Sequence, residues 1–359
     1  MQLETVVDES VVARPKPHFV VLDGLRGVAA LGVVIFHFAE MVIGNYSVLW
    51  IGHGFLAVDF FFCLSGFVLG YAYDDRIATM GLGRFLKARL VRLHPMVLLG
   101  AVLGLVAFLA NPFGMPPGYG AGRVALLFAA SVLLIPYGGM PERGRNLFGL
   151  NAPAWTLFWE YVANLVFALV LYRARRATLA VLTVAAAVLL CWVGHRSGNL
   201  AGGWSSRNFW DGGARVAYSF MAGLLVYRMG WRVRTPLGFG GLSVLLALAL
   251  VMPWAKGAWV REAAVIVVYF PLLIALGAGA VISPRVERVC RWSGAVSYPL
   301  YMSHYAVMWM WGDFAEKHRL ADGGLWSPIA LGVLCMLVFG WAVLKLYDEP
   351  VRAWLHREL

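Results

Sequence analysis

Four ionisable side chains fall within one apolar stretch, LDGLRGVAALGVVIFHFAE at 22–40: Asp23, Arg26, His37 and Glu40. An imidazole exchanges protons near neutrality, so a histidine deep in an apolar helix is a candidate general base or acid. A histidine simply satisfied inside a helix bundle is the competing reading. Arg26 and His37 are eleven residues apart. Eleven steps of 100° leave a residual of only about 20°, so a helix puts both on one face, roughly 16 Å apart along its axis. Asp23 lies three before Arg26 and Glu40 three after His37, which completes a single polar stripe. A charge at the centre of a bilayer costs at least ~2.5 kcal/mol on insertion scales, so the stripe is expected to face protein or water. Terminal anchoring competes for Asp23, Arg26 and Glu40.

Other stretches offer further chemistry. Asp59, in HGFLAVDFFFCLSGF, could pair with Arg26, orient His37, or make a buried helix–helix hydrogen bond. Arg89 and Arg92, in RFLKARLVRLHP, form an i, i+3 pair suited to gripping phosphates, or an ordinary basic loop on anionic lipid. In NAPAWTLFWEY, Trp155 reads as an interfacial belt residue and Glu160 as an acid about one turn into a span on its outer side. Tyr298, Tyr301 and His304 crowd SYPLYMSHY, placed near the cytoplasmic end of a span, where they line a pocket or belt the interface. Cys63, Cys191, Cys290 and Cys335 stand singly, with no metal-ligand spacing, so neither a metal nor a disulfide is expected.

The elements that must position these groups are membrane helices. The 359-residue chain is 61% apolar and 14% charged, with mean hydropathy +0.73, far from the balance of a soluble domain. Apolar runs long enough for helices recur throughout, without the short alternation of barrel strands. The expectation is an all-α, polytopic membrane bundle with about ten transmembrane helices, near 19–43, 54–73, 95–110, 153–172, 177–194, 212–228, 238–254, 262–281, 297–315 and 327–346. A further short run at 124–138 lies between Gly/Pro-rich stretches. Treating it as re-entrant or interfacial leaves both termini cytoplasmic and most of the thirty lysines and arginines on the cytoplasmic side. That bias, rather than nucleic-acid binding, accounts for the net charge of +11. Residues 1–18 and 347–359 read as cytoplasmic tails flanking one transmembrane domain, 19–346. The polar helices also suit a transporter or flippase for a polar lipid or metabolite, although no strong internal repeat supports inverted halves.

Six motifs in register resemble the membrane acyltransferase-3 family, bacterial O-acyltransferases dependent on acyl-CoA, over residues 22 to about 352. Arg26 and His37 match its R-x10-H motif. VDFFFCLSGF around Asp59 and RLVRLHP at Arg89 and Arg92 match two more. AWTLFWEY resembles WSL-x-x-E, with threonine for serine, at Trp155 and Glu160. SYPLYMSH resembles SYxLYLxH at Tyr298, Tyr301 and His304, and EPVR at Glu349 and Arg352 matches the ending. The resemblance implies a bacterial inner-membrane enzyme with no permanently bound cofactor and an acyl-CoA, usually acetyl-CoA, as co-substrate. It implies a carbohydrate or lipid-linked acceptor. His37 would be the catalytic residue, as base or transient acyl carrier, with Arg26 supporting it. Arg89 and Arg92 would hold the coenzyme A phosphates.

The charge bias makes a topological prediction. A single cysteine in the 319–324 loop, on a cysteine-free background, is expected to react with an impermeant maleimide added outside the cell; labelling only from inside would mean that the span count is off by one.

Overall fold

The computed structural model describes residues 18–114, 118–319 and 326–358. Nearly all of the tail expected at 1–18 and most of the 319–324 loop lie outside these residues. Every expected apolar run is a helix, and among the described residues there is no strand, only isolated bridges. The helices are α1 (Val20–Ile43), α2 (Ala57–Tyr73), α3 (Leu82–Leu109), α4 (Ala121–Val132), α5 (Ala154–Leu169), α6 (Arg176–Ser197), α7 (Phe209–Arg228), α8 (Gly238–Leu250), α9 (Ala258–Gly279), α10 (Pro284–Lys317) and α11 (Trp326–Glu358). Among the described residues, six are long and apolar enough to cross a membrane: α1, α2 with its preceding turn, α3, α6, α9 and α11. The apolar helices α4, α5 and α8 are shorter, and α7 and α10 are long but more polar. Length and composition alone thus single out six of the ten expected spans, and the shorter or more polar α5, α7, α8 and α10 fall at the remaining four.

Several boundaries differ from the expectation for identifiable reasons. The starts expected at 95 and 297 lie beside Pro95 and Pro299, and proline suits a helix's first turn. Both prolines instead lie inside longer helices, because the polar residues upstream continue the helix. The Tyr298 and Tyr347 hydroxyls donate to the Leu93 and Pro95 carbonyls of α3, at 2.6 and 3.1 Å. Tyr298, Tyr301 and His304 consequently lie in mid-helix rather than near its end. At the C-terminus, α11 passes through a π-type turn at Leu344–Asp348 and continues as helix to Glu358, across the segment expected as a tail.

Two helix pairs organise the core. Along α1 and α10, Gly27 lies against Ser293 and Gly294 against the Asp23 backbone, while the Trp311 indole donates to the Phe38 carbonyl at 3.0 Å. Along α2 and α7, Gly66 lies on the Phe220 carbonyl and Gly223 on the Cys63 carbonyl, so two backbones meet where any side chain would collide. From Gly27–Ser293 to Phe38–Trp311 along one pair, and from Asp59–Arg215 to Asp74–Arg228 along the other, numbers rise together, so both run parallel, which agrees with α4 not crossing. Apolar side chains such as Phe60, Phe220 and Leu224 close the seam.

The glycine seam is testable. Gly223→Val or Gly66→Val drives methyl groups into backbone that cannot swing aside, and overpacking of this kind typically costs about 1–3 kcal/mol. Either variant should lose far more thermal stability in detergent than Gly240→Ala, where space is open; equal stability of all three would remove the seam from the account.

Candidate functional site

Two cavities lie along α1, one toward each end of the polar stripe. The first, of about 160 Å³, is lined by Arg26, Ser65, Arg89, Arg92, Glu160 and Tyr298 among others. Arg26 Nη2 donates to the Gly294 carbonyl at 2.7 Å and Nε to the Ser297 hydroxyl at 2.9 Å, while Asp23 lies 3.4 Å away. These bonds fasten α1 to α10 and fix the guanidinium at the cavity wall. Arg89 is buried and pairs with Glu160 at 2.8 Å, and the Ser65 hydroxyl donates to the same carboxylate oxygen at 3.3 Å. Arg92 packs on the Tyr298 ring, 5.9 Å from its centroid, and has no hydrogen-bond partner among the described residues. A guanidinium presented to a cavity on an aromatic face, without a paired acid, is suited to an anionic ligand.

The second cavity, of about 260 Å³, is lined by His37, Glu40, Arg143, Trp155, Arg215 and Trp309 among others. His37 Nδ1 lies 2.7 Å from Glu40 Oε2, and Tyr46 donates its phenolic proton to Glu40 Oε1 at 2.5 Å. Burial, reinforced by the Glu40 carboxylate, holds the Tyr46 phenol well above its ordinary pKa, so it stays a donor. An ionised Glu40 can only accept, which places the His37 proton on Nδ1 and leaves Nε2 with a free lone pair. The His304 ring stacks on His37, with centroids 5.3 Å apart and planes 21° apart. His304 is fully buried, and its Nδ1 bonds the Tyr301 carbonyl at 2.7 Å.

The cavities share two wall residues, Val58 and Tyr301. Thr156 Oγ1 donates to the Pro153 carbonyl at 2.8 Å, which uses its one proton. It must therefore accept from the Tyr301 hydroxyl, 3.1 Å away. A phenolic proton thus stands at the junction of an arginine-lined space and a histidine-lined one.

The structure brings most of the expected residues to these cavities, with corrections. Asp59 pairs with neither Arg26 nor His37. It is fully buried and takes three bonds, at 2.6 to 3.2 Å, from Arg215 of α7, whose remaining bonds reach the Gly202 and Phe55 carbonyls. Asp59 is a helix–helix tie, because the parallel α2–α7 seam puts Arg215 directly opposite. Glu160 is not an acid at an outer interface. The segment before α5 is itself buried at Phe148, Leu150 and Asn151, so α5 begins inside the bundle and its second turn reaches Arg89. For the same reason Trp155 is buried beneath the Arg215 guanidinium, 5.4 Å away, rather than in an interfacial belt. His304 lines neither cavity and touches the site through the His37 ring and the Tyr301 carbonyl. Sequence reasoning missed Tyr46 and Arg143, both in loops, and gave Arg215 no role although a cation inside an apolar run was the available signal.

Comparison with known proteins agrees with this geometry. The profile of the acyltransferase-3 family, an acyltransferase domain, matches residues 19–345. The chain belongs to the acyltransferase-3 family. It is accordingly a membrane acyltransferase that transfers groups other than aminoacyl. Protein 2 in the picA locus of Rhizobium radiobacter is 38% identical over 187 residues, 49% of this chain and 95% of that protein. Acyltransferase MdmB of Streptomyces mycarofaciens is 33% identical over 155 residues, 41% of this chain and 38% of that one. A Staphylococcus aureus (strain COL) protein provisionally named an O-acetyltransferase is 38% identical over 81 residues, 21% of this chain and 12% of its own. This chain thus spans well under half the length of the latter two. No solved structure matches it.

The buried Asp59–Arg215 pair sets up a double-mutant cycle. Removing one partner leaves an uncompensated buried charge, which typically costs about 3–5 kcal/mol. Asp59→Leu and Arg215→Met are each expected to destabilise the protein strongly, and the double variant to lose much less than the two losses added together. Additive losses in thermal unfolding would mean that the two side chains act independently.

Proposed function

We propose that the chain moves an acyl group, acetyl in the simplest case, from acyl-CoA to a hydroxyl of a glycan, glycolipid or related metabolite in a bacterial inner membrane. One observation carries this reading: an arginine-lined cavity and a histidine-lined cavity meet at the same two residues, Val58 and Tyr301. Acyl-CoA enters from the cytoplasm at the N-terminal end of α1. Its phosphates meet Arg92, with Arg26 behind it. Arg89 is held by Glu160 and contributes field more than direct contact. The pantetheine arm then runs toward Tyr301. The roughly 16 Å between Arg26 and His37 along the helix suits that arm.

The acceptor hydroxyl occupies the other cavity. His37 Nε2 takes its proton as the oxygen attacks the thioester carbonyl, and the imidazolium is stabilised by Glu40 through Nδ1. The tetrahedral oxyanion collapses, the C–S bond breaks, and the coenzyme A thiolate takes the proton back from Nε2. The products are the ester and free coenzyme A, with no other reactant required. Tyr301 can rotate its proton from Thr156 toward the oxyanion. The apolar walls, Phe61, Phe62 and Leu157 among them, exclude water that would hydrolyse the thioester.

Thiol release from acetyl-CoA by the purified protein, with an acceptor present, tests this directly. His37→Ala is expected to reduce turnover by about 10²–10⁴-fold while leaving a folded, inserted protein. Arg92→Gln should raise the KM for acetyl-CoA about tenfold or more, and that for the acceptor much less. A transporter, the other class that polar helices allow, would move solute without consuming thioester. Near-normal turnover by His37→Ala would rule out the base mechanism.

A further inference from the structure

One cation in the His37 cavity is unused by the chemistry above. Arg143 lies in the connection between α4 and α5, at a turn whose neighbours Glu142, Gly144 and Arg145 are exposed, is itself partly buried, and lines the same cavity as His37 and Glu40. Its Nη1 donates to the Gly149 carbonyl at 2.7 Å, which fixes the guanidinium in place. The guanidinium carbon stands 4.6 Å from the Trp309 ring centroid and 5.7 Å from that of Phe108. No carboxylate pairs with it among the described residues. The neighbouring acids Glu142 and Asp313 favour its charge from a distance but bond other groups, Glu142 accepting from the Tyr119 hydroxyl at 2.7 Å and Asp313 from Asn111 at 2.5 Å, while Glu40 serves His37 and Tyr46.

We propose that Arg143 recognises an anionic group on the acceptor, so that the preferred acceptor is a sugar unit carrying a carboxylate or phosphate near the hydroxyl to be acylated. This rests on the acyl-transfer reading of the His37 cavity and names the acceptor class for it. A half-buried guanidinium without a paired acid carries an unmet demand for negative charge, and its planar fork satisfies it with two parallel bonds. Burial lowers the Arg143 pKa from its ordinary value although Glu142 and Asp313 act to raise it. Trp155, Trp204, Tyr305 and Trp309 supply the flat apolar faces that line the rest of the space, as expected where a small polar molecule is held by a few fixed polar groups. The anion at Arg143 would hold the sugar by one end and leave a hydroxyl to meet His37 Nε2.

Three probes with one aglycone separate charge from shape: 4-nitrophenyl β-glucoside, its 6-carboxylate analogue the β-glucuronide, and its 6-phosphate. Binding to the purified full chain can be followed by quenching of the cavity tryptophans. The wild type is expected to bind the carboxylate or the phosphate at least about tenfold tighter than the glucoside, a preference that added salt weakens. Which anion wins identifies the acceptor's source of charge. Arg143→Gln should abolish the preference without changing glucoside affinity. Arg143→Lys should keep part of it, and serves alone if the glutamine variant does not fold. Equal binding of all three probes, binding of none, or a preference that survives in Arg143→Gln would overturn the proposal. His37→Ala separates this from the transfer reading: it should lose thiol release yet keep the anion preference. Normal turnover by that variant defeats the transfer reading alone, and absent preference beside a dead His37→Ala defeats only this one.

Discussion

A charge inside an apolar helix bundle must find a partner, and this constraint sets the architecture. Asp59 and Arg215 tie α2 to α7, Arg228 and Asp74 tie the same helices one end further along, and Arg89 with Glu160 ties α3 to α5. Arg26 ties α1 to α10 through a carbonyl and a hydroxyl. Each tie is a point where separating the helices would strand an ion in a poor solvent, with a penalty of several kcal/mol. Glycines let the paired helices approach closely enough for the short polar bonds to form. The groups left without a fixed acid, Arg92 and Arg143, face the two cavities, as does the open nitrogen of His37. The same physics that closes the bundle therefore marks where it stays open to ligand.

Much of this is legible in the sequence because helices have a period. The eleven-residue spacing of Arg26 and His37 puts both on one face whatever surrounds them, and the structure keeps that face against α10 and the cavities. The apolar runs locate the eleven longer helices among the described residues for the same reason. What the sequence hides is depth and partnership. Glu160 is one turn into an apolar run, but the run begins inside the bundle because the connection before it is buried. Asp59 has a partner 156 positions away, and nothing local distinguishes Arg215 from Arg26 as that partner. Arg143 sits in a polar, glycine-rich connection that composition reads as solvated; only its packing on Trp309 and Phe108 places it at a cavity.

Two histidines of the site illustrate how position assigns role. His37 and His304 are stacked, yet His304 is sealed from both cavities while His37 faces one and bonds an acid. Glu40 and Tyr46 then fix which nitrogen of His37 is open. Tyr301 occupies the only stretch of α10 that borders both cavities among the described residues, alongside Val58 of α2. In the proposed transfer the reacting carbonyl is reached from the donor side by a thioester and from the acceptor side by an oxygen, and that meeting is assigned to these two side chains because they wall both cavities.

The most direct measurement of that claim is photolysis of an acyl-CoA whose acyl end carries a diazirine, followed by peptide mapping of the adducts. The account expects adducts in residues 55–62 of α2 and its preceding turn, in 33–40 of α1 and in 297–305 of α10, all competed by unlabelled acetyl-CoA. Adducts confined to surface loops or to the apolar groove at Trp50 and Trp326, or adducts that acetyl-CoA does not compete, would contradict it.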